Sequence, residues 1–179
     1  EIYQCDWSSD VCSSDLSVDV KPLSYNRDLW NDLEERLLLV YSGRGRNANS
    51  ILQKQAAAMN EKNKFDLVKR SRDKAFIAAK MLTDNRLDDF GSLLHDAWID
   101  KKGVESSITN EYFDEIYNRA LEAGALGGKL LGAGGGGFFL FYVTPDRRQK
   151  VIDRITEGTS CKIYDFRFTD YGSRVASSC

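Results

Sequence analysis

Residues 132–137 read Gly-Ala-Gly-Gly-Gly-Gly, and six strongly apolar residues, Phe138 to Val143, follow at once. Each glycine costs roughly 0.5–1 kcal/mol in backbone entropy relative to alanine, so a run this dense needs a compensating requirement. Two would serve: backbone with φ > 0, or approach of another group so close that no Cβ fits. Bare main chain presents N–H groups, and these can face an anion or a neighbouring loop. A flexible linker is the competing reading, and the apolar run directly downstream argues against it. Other chemistry is sparse. His95, the single histidine, has no acid–base partner nearby beyond Asp96 and reads as a helix-surface residue. Ser42, Ser106 and Ser107 lack the histidine or lysine arrangement that activates a nucleophile.

The elements that must position the glycine run follow from apolar periodicity. Strand-like Lys129-Leu130-Leu131 precedes it and Phe138–Val143 continues it, so the run reads as a loop between two strands. Leu37–Tyr41 is a further apolar run of strand length, read as buried on both faces, ending in the turn Ser42-Gly43-Arg44-Gly45-Arg46 with its two cations. A shorter strand is expected around Val18 and Val20, and a short helix or an anchored loop over Asn26–Arg36. From Asn49 to Lys101 the pattern is helical, broken at Asp84-Asn85, with Leu87, Phe90, Leu94, Ala97 and Trp98 forming one stripe and Gly103 as a cap. Trp98 reads as core. A helix capped by Thr109 or Asn110 then buries Phe113, Ile116, Tyr117, Ala120 and Leu121 and stops at Gly124. Pro145 is placed near the first turn of a last helix carrying Val151, Ile152 and Ile155. Alternation over Lys162–Phe168 predicts a final strand. The order predicts an α+β fold: helices on one face of a small antiparallel sheet.

Bulk composition narrows the partners. The 179 residues suffice for one ordinary domain. A formal net charge of −2 without a basic patch argues against nucleic acid, and no apolar run approaches membrane-spanning length. Four cysteines at 5, 12, 161 and 179 contain no C-x-x-C pair, as expected of reduced thiols in a cytoplasmic protein. The segment Cys5–Leu16, CDWSSDVCSSDL, has neither helical period nor sustained alternation. It resembles one reading frame of a common short-read sequencing adapter, so residues 1–16 are expected to be a non-native tail and 17–179 the domain proper.

Gly124–Val143, GALGGKLLGAGGGGFFLFYV, resembles the third motif of the GHMP kinases, with Gly132, Gly134, Gly135, Gly136 and Gly137 at the family's glycine positions. Ala97–Tyr117, AWIDKKGVESSITNEYFDEIY, and LLLVYSGRGRNANSIL upstream are similar to the branch that phosphorylates D-glycero-D-manno-heptose 7-phosphate at its anomeric carbon. In the latter stretch Ser42 replaces a threonine and Arg46 takes the arginine of a T-G-x-x-R turn. The resemblance implies the family's ferredoxin-like C-terminal domain, with ATP, Mg²⁺ and a small sugar phosphate as reaction partners in nucleotide-sugar synthesis. A fucokinase-like sugar 1-kinase and a non-catalytic binding module are the alternatives. It further implies that Gly132, Ala133, Gly134, Gly135, Gly136 and Gly137 line the nucleotide phosphate loop. Arg46, Lys102, Ser107 and Lys129 become the substrate-binding candidates, with Lys101 a further cation in the same region. The family's P-x-x-x-G-L-G-S-S loop and acidic catalytic partner belong to its N-terminal domain, and neither pattern occurs here. Neither a catalytic residue nor a metal ligand is therefore expected within the chain.

Overall fold

Two apolar strands, β1 (Leu37–Tyr41) and β3 (Phe138–Tyr142), pair antiparallel along their full length, from Leu37 opposite Tyr142 to Tyr41 opposite Phe138. β2 (Gly127–Leu130) adds to the free edge of β3 and β4 (Lys162–Tyr164) to that of β1, also antiparallel, giving the order β2-β3-β1-β4. β1 and β2 run the same way on either side of β3, so the helices between them form a split crossover. This is the ferredoxin-like arrangement expected above. The computed structural model describes residues 26–45 and 48–169. The expected strand at Val18–Val20, the 1–16 segment, Arg46 and three of the four cysteines lie outside them.

Local sequence sets the helix ends. The Asn26 side chain accepts from the amides of Asp28 and Leu29 and opens α1 (Arg27–Arg36). After β1 come α2 (Ala48–Ala58) and α3 (Lys62–Thr83), the latter ending beside Asn85 at φ 56°. α4 (Leu87–Val104) contains Gly103 within its last turn, so that glycine is no cap. The Glu105 carboxylate instead accepts from the Ser107 amide at 2.7 Å and turns the chain into a short 3₁₀ segment, Ser106–Ile108. Asn110, rather than Thr109, caps α5 (Glu111–Ala123), and Gly124 ends it at φ 117°. α6 (Arg148–Thr156) starts three residues after Pro145, which lies in the preceding turn and not in the helix. β4 stops at Tyr164, short of the predicted Phe168. Beyond it the chain turns to α1, where Arg167 pairs with Glu34 at 2.9 Å and Phe168 meets Trp30 edge-on at 5.1 Å.

Strand alternation puts Leu38, Val40, Leu130, Phe139 and Phe141 on one face, packed against Trp98 of α4, Phe113, Ile116 and Tyr117 of α5, and Val151 and Ile155 of α6. Phe139 stacks on Phe141 at 5.2 Å and receives Trp98 and Phe113 edge-on, an arrangement that the ring quadrupoles favour. On the other face, Leu37 and Tyr142 pack with Leu33 and Leu87. There Leu39, Tyr41, Phe138 and Leu140 remain half-buried, so β1 is buried fully on one face only. α3 buries no residue completely. It is tied to α4 by the buried Asp100 carboxylate, which pairs with Arg70 at 2.9 Å and with Lys74, and Phe76 stays 73% exposed.

One strand glycine, Gly127, brings α4 against the edge of β2. A Cβ on Gly127 would meet the Gly91 carbonyl and lie 2.7 Å from the His95 amide, both main-chain atoms that cannot rotate away. Gly127→Ala should therefore lower the urea unfolding free energy by about 1–3 kcal/mol through overpacking. Gly45→Ala, where a Cβ meets nothing within 4 Å, should stay within about 0.5 kcal/mol of the parent. Equal midpoints for the two variants would refute the close helix–strand approach.

Candidate functional site

The loop between β2 and β3 satisfies both requirements that its composition posed. Gly132, Gly134, Gly135, Gly136 and Gly137 all have positive φ, from 63° to 146°, and only Ala133 departs from the series. A Cβ on Gly134 would lie 2.8 Å from Ile108, and one on Gly136 2.9 Å from the carbonyls of Arg44 and Gly45. One on Gly135 would strike Ile51 of α2. The backbone thus sits in a slot walled by residues 42–45, the 3₁₀ segment and α2.

Its main-chain bonds go to those walls. The Gly135 amide donates to the Ile108 carbonyl at 2.8 Å and the Gly137 amide to Arg44 O at 2.9 Å, while Gly137 O accepts from the Ser42 amide at 2.9 Å. Of the two uses foreseen for the loop's N–H groups, these two amides serve the neighbouring loop. Carbonyls are held as well. Gln55 of α2 donates to Ala133 O at 2.7 Å, and the Lys101 ammonium donates to Leu130 O at 2.7 Å and Gly132 O at 2.6 Å.

The walls are themselves braced. Ser42 is buried, the Tyr112 hydroxyl donates to its carbonyl at 2.7 Å, and the Arg44 guanidinium lies 3.8 Å over the Tyr112 ring. In the 3₁₀ segment, the Glu105 carboxylate accepts from the Ser107 amide and hydroxyl and from Ser106. Burial pushes the Glu105 carboxyl up, but the Ser107 and Ser106 hydrogen bonds, with the Lys54 charge, together hold it below the ordinary carboxylate range.

The predicted substrate residues are not gathered in one place. Ser107 lies against the loop, its carbonyl 3.2 Å from a Cβ on Gly135, and its hydroxyl is engaged by Glu105. Lys102 turns to Asp114 at 3.0 Å, an ion pair that Thr109 also joins. Lys129 stands opposite Leu140, on the sheet face turned away from the α4–α6 core, and burial pulls its ammonium below the usual lysine value. Arg46 is outside the described residues. His95 differs from its surface reading: its Nδ1 lies 2.9 Å from the Tyr117 hydroxyl and the two rings stack at 6.0 Å. Trp98 is core, wholly buried. Gln55 and Tyr112, which fix the loop and its wall, carry no sequence signal, since Gln55 lies 78 positions from the carbonyl it holds. Among the described residues, no three His, Cys, Asp or Glu side chains converge as a metal site. No helix there is long and apolar enough to cross a membrane. Two surface depressions lie along α5 and α6, both lined by Glu122 and Arg154.

Comparison with known proteins converges on one family. Residues 74–160 match the model described as GHMP kinases C terminal. The chain is 26% identical over 155 residues to D-glycero-alpha-D-manno-heptose 7-phosphate kinase of Campylobacter jejuni, covering 87% of this chain and 45% of that protein. It is 28% identical over 139 residues to the bifunctional fucokinase/GDP-fucose pyrophosphorylase of Arabidopsis thaliana, covering 76% of this chain and 13% of that protein. The chain thus spans less than half the length of either relative. Among solved structures, L. major mevalonate kinase in complex with R-mevalonate superposes with a TM-score of 0.59 at 18% identity, over 69% of this chain and 39% of that one, a likeness of fold. Residues 74–160 thus resemble the C-terminal domain of the GHMP kinases, and the split crossover, the strand order and the glycine loop between β2 and β3 give the chain that domain's fold.

Proposed function

We propose that this chain supplies the glycine-loop half of an ATP-dependent sugar-phosphate kinase acting on D-glycero-D-manno-heptose 7-phosphate at the anomeric hydroxyl. The observation that carries the reading is the run of left-handed glycines at 132–137, whose backbone is held on three sides by neighbouring elements. Its similarity to the Campylobacter jejuni heptose 7-phosphate kinase supports the choice of substrate. Phosphoryl transfer is mostly positioning and charge neutralisation, and a rigid bare backbone serves the first. In this reading the loop lies beside the nucleotide phosphates, with Arg46, Lys102, Ser107 and Lys129 as candidates for the sugar phosphate. The nucleotide loop and the acidic partner of the attacking hydroxyl come from residues outside the chain. Mg²⁺, when bound, would supply charge neutralisation at the phosphates. The setting is the cytoplasm, where ATP and phosphorylated sugars occur together. A second reading, a fucokinase-like sugar 1-kinase, is favoured by the 28% identity to the Arabidopsis thaliana protein.

The chain by itself should show no sugar-dependent ADP formation, because electrostatic preorganisation at the transferring phosphoryl group is largely missing from it. Fused in frame behind the N-terminal half of the Campylobacter jejuni kinase, it should turn over with heptose 7-phosphate. Robust turnover by the unfused chain would end the division of the site proposed here, and selective turnover with L-fucose would move the assignment to the second reading.

In that fusion, Gly136→Val should lower kcat by about 100-fold or more and also destabilise the domain, so turnover is compared at a temperature where both proteins remain folded. A β-branched residue at φ 146° is strained and its Cβ would press on the Arg44 and Gly45 carbonyls. Parent-level turnover at saturating ATP would remove the loop from the mechanism.

A further inference from the structure

Lys101 projects from the last turns of α4, its ammonium 5.9 Å from the ring of the wholly buried Trp98. That ammonium bonds Leu130 O at 2.7 Å and Gly132 O at 2.6 Å. Leu130 is the last residue of the edge strand β2, and Gly132 is the first left-handed glycine of the loop. Between them the Leu131 amide still donates into the sheet, to Phe138 O at 2.8 Å. One cation therefore clamps the peptide that ends the strand and a peptide that begins the loop, at the point where the chain leaves the sheet. A peptide group is planar, so holding the Gly132 carbonyl also sets the direction of the Ala133 N–H. Glycine by itself resists few combinations of φ and ψ, so this bond narrows a choice the residue leaves open.

We propose that Lys101 is the positioning residue of the glycine loop: it sets the angle at which the loop leaves β2 and thereby the orientation of the peptides that follow. The geometry stands on its own, and its consequence for phosphoryl transfer rests on the function proposed above. Trp98, one turn earlier and locked in the core, anchors the helix from which the lysine reaches. Lys102, the next residue, points to Asp114 and does not share the role.

The test measures backbone amide hydrogen exchange by NMR in the chain itself, comparing the parent with Lys101→Met, Lys101→Gln and Lys101→Arg. Ammonium–carbonyl bonds are among the stronger hydrogen bonds, so their loss should speed exchange at Gly135 and Gly137 by about tenfold or more. The amides in the β1–β3 ladder should keep parental protection, and arginine, which retains charge and donors, should restore most of the loop's protection. Unchanged exchange at the loop in Lys101→Met and Lys101→Gln would overturn the proposal. So would an equal rise in loop and ladder, or failure of both variants to fold, since the lysine would then support the whole domain and not the loop. The readout needs no kinase activity, so this proposal and the kinase reading can fail separately.

Discussion

Main chain packed on main chain, closer than any Cβ would allow, is the constraint on which this site is built. The register of β1 on β3 creates it. Tyr41 ends β1 opposite Phe138, which begins β3, so the segment leaving one strand and the segment entering the other must run side by side. Residues 42–45 and 132–137 are those segments, and they exchange the Ser42–Gly137 and Gly137–Arg44 bonds. Side chains between them would force the strands apart at their ends. Glycine is accordingly needed for space as well as for dihedral angle, and the left-handed conformation lets successive peptides turn to different walls within six residues.

The aromatic core then determines where the third wall stands. Trp98, Phe113 and Tyr117 pack onto Phe139 and Phe141, and this fixes the height of α4 and α5 above the sheet. The chain between those helices is short, so the 3₁₀ segment has little freedom and brings Ile108 to Gly134 and Gly135. Glu105 contributes by closing that segment on itself through Ser106 and Ser107. Asp100, buried between Arg70 and Lys74, attaches the long and otherwise exposed α3 to the same helix. Leaving one partner of such a buried pair uncompensated is costly, typically about 3–5 kcal/mol. Leu67 and Leu82 of α3 also pack on the two cores, so the helix stays in place while Phe76 faces solvent.

Much of this was legible in the residues. Periodicity gave α4 and α5 because those helices bury one clear face, continuous apolar runs gave β1 and β3 but not that β1 is fully buried on one face only, and the glycine run announced its own loop. Asn110 and Gly124 marked the ends of α5 by capping chemistry that is local by nature. What failed was tertiary in origin. Gly103 looked like a cap but lies inside a helix, because the Glu105 carboxylate does the stopping. Phe166 and Phe168 alternate like strand residues, yet Glu34 and Trp30 draw that segment away from the sheet. β2 begins at Gly127, two residues before its apolar signal, since α4 presses on Gly127 and β3 on Gly128, leaving neither room for a side chain. At the site, the type of each lysine was plain and its partner was not. Lys101 and Lys102 are adjacent in sequence, but one reaches the loop and the other an aspartate on α5.

That separation bears on how such a loop can act on an anion. Lys102 is committed to Asp114, the Arg44 guanidinium lies on an aromatic ring, and Lys101 sits behind the loop on its carbonyl side. The Lys101 charge is thus coupled to the glycines through peptide groups. A carbonyl that accepts from an ammonium is polarised, and the N–H of the same peptide becomes a stronger donor, a cooperative gain of about 10–30% per bond in condensed phases. The Gly132–Ala133 peptide receives this polarisation from Lys101, and the Ala133–Gly134 peptide a weaker one from Gln55. Charge delivered in this way keeps a fixed direction, whereas a flexible lysine tip would follow whichever anion approached. If the chain serves the phosphoryl transfer proposed above, a reaction governed by alignment of the transferring group, a directed dipole in a rigid frame is the more useful form of positive potential.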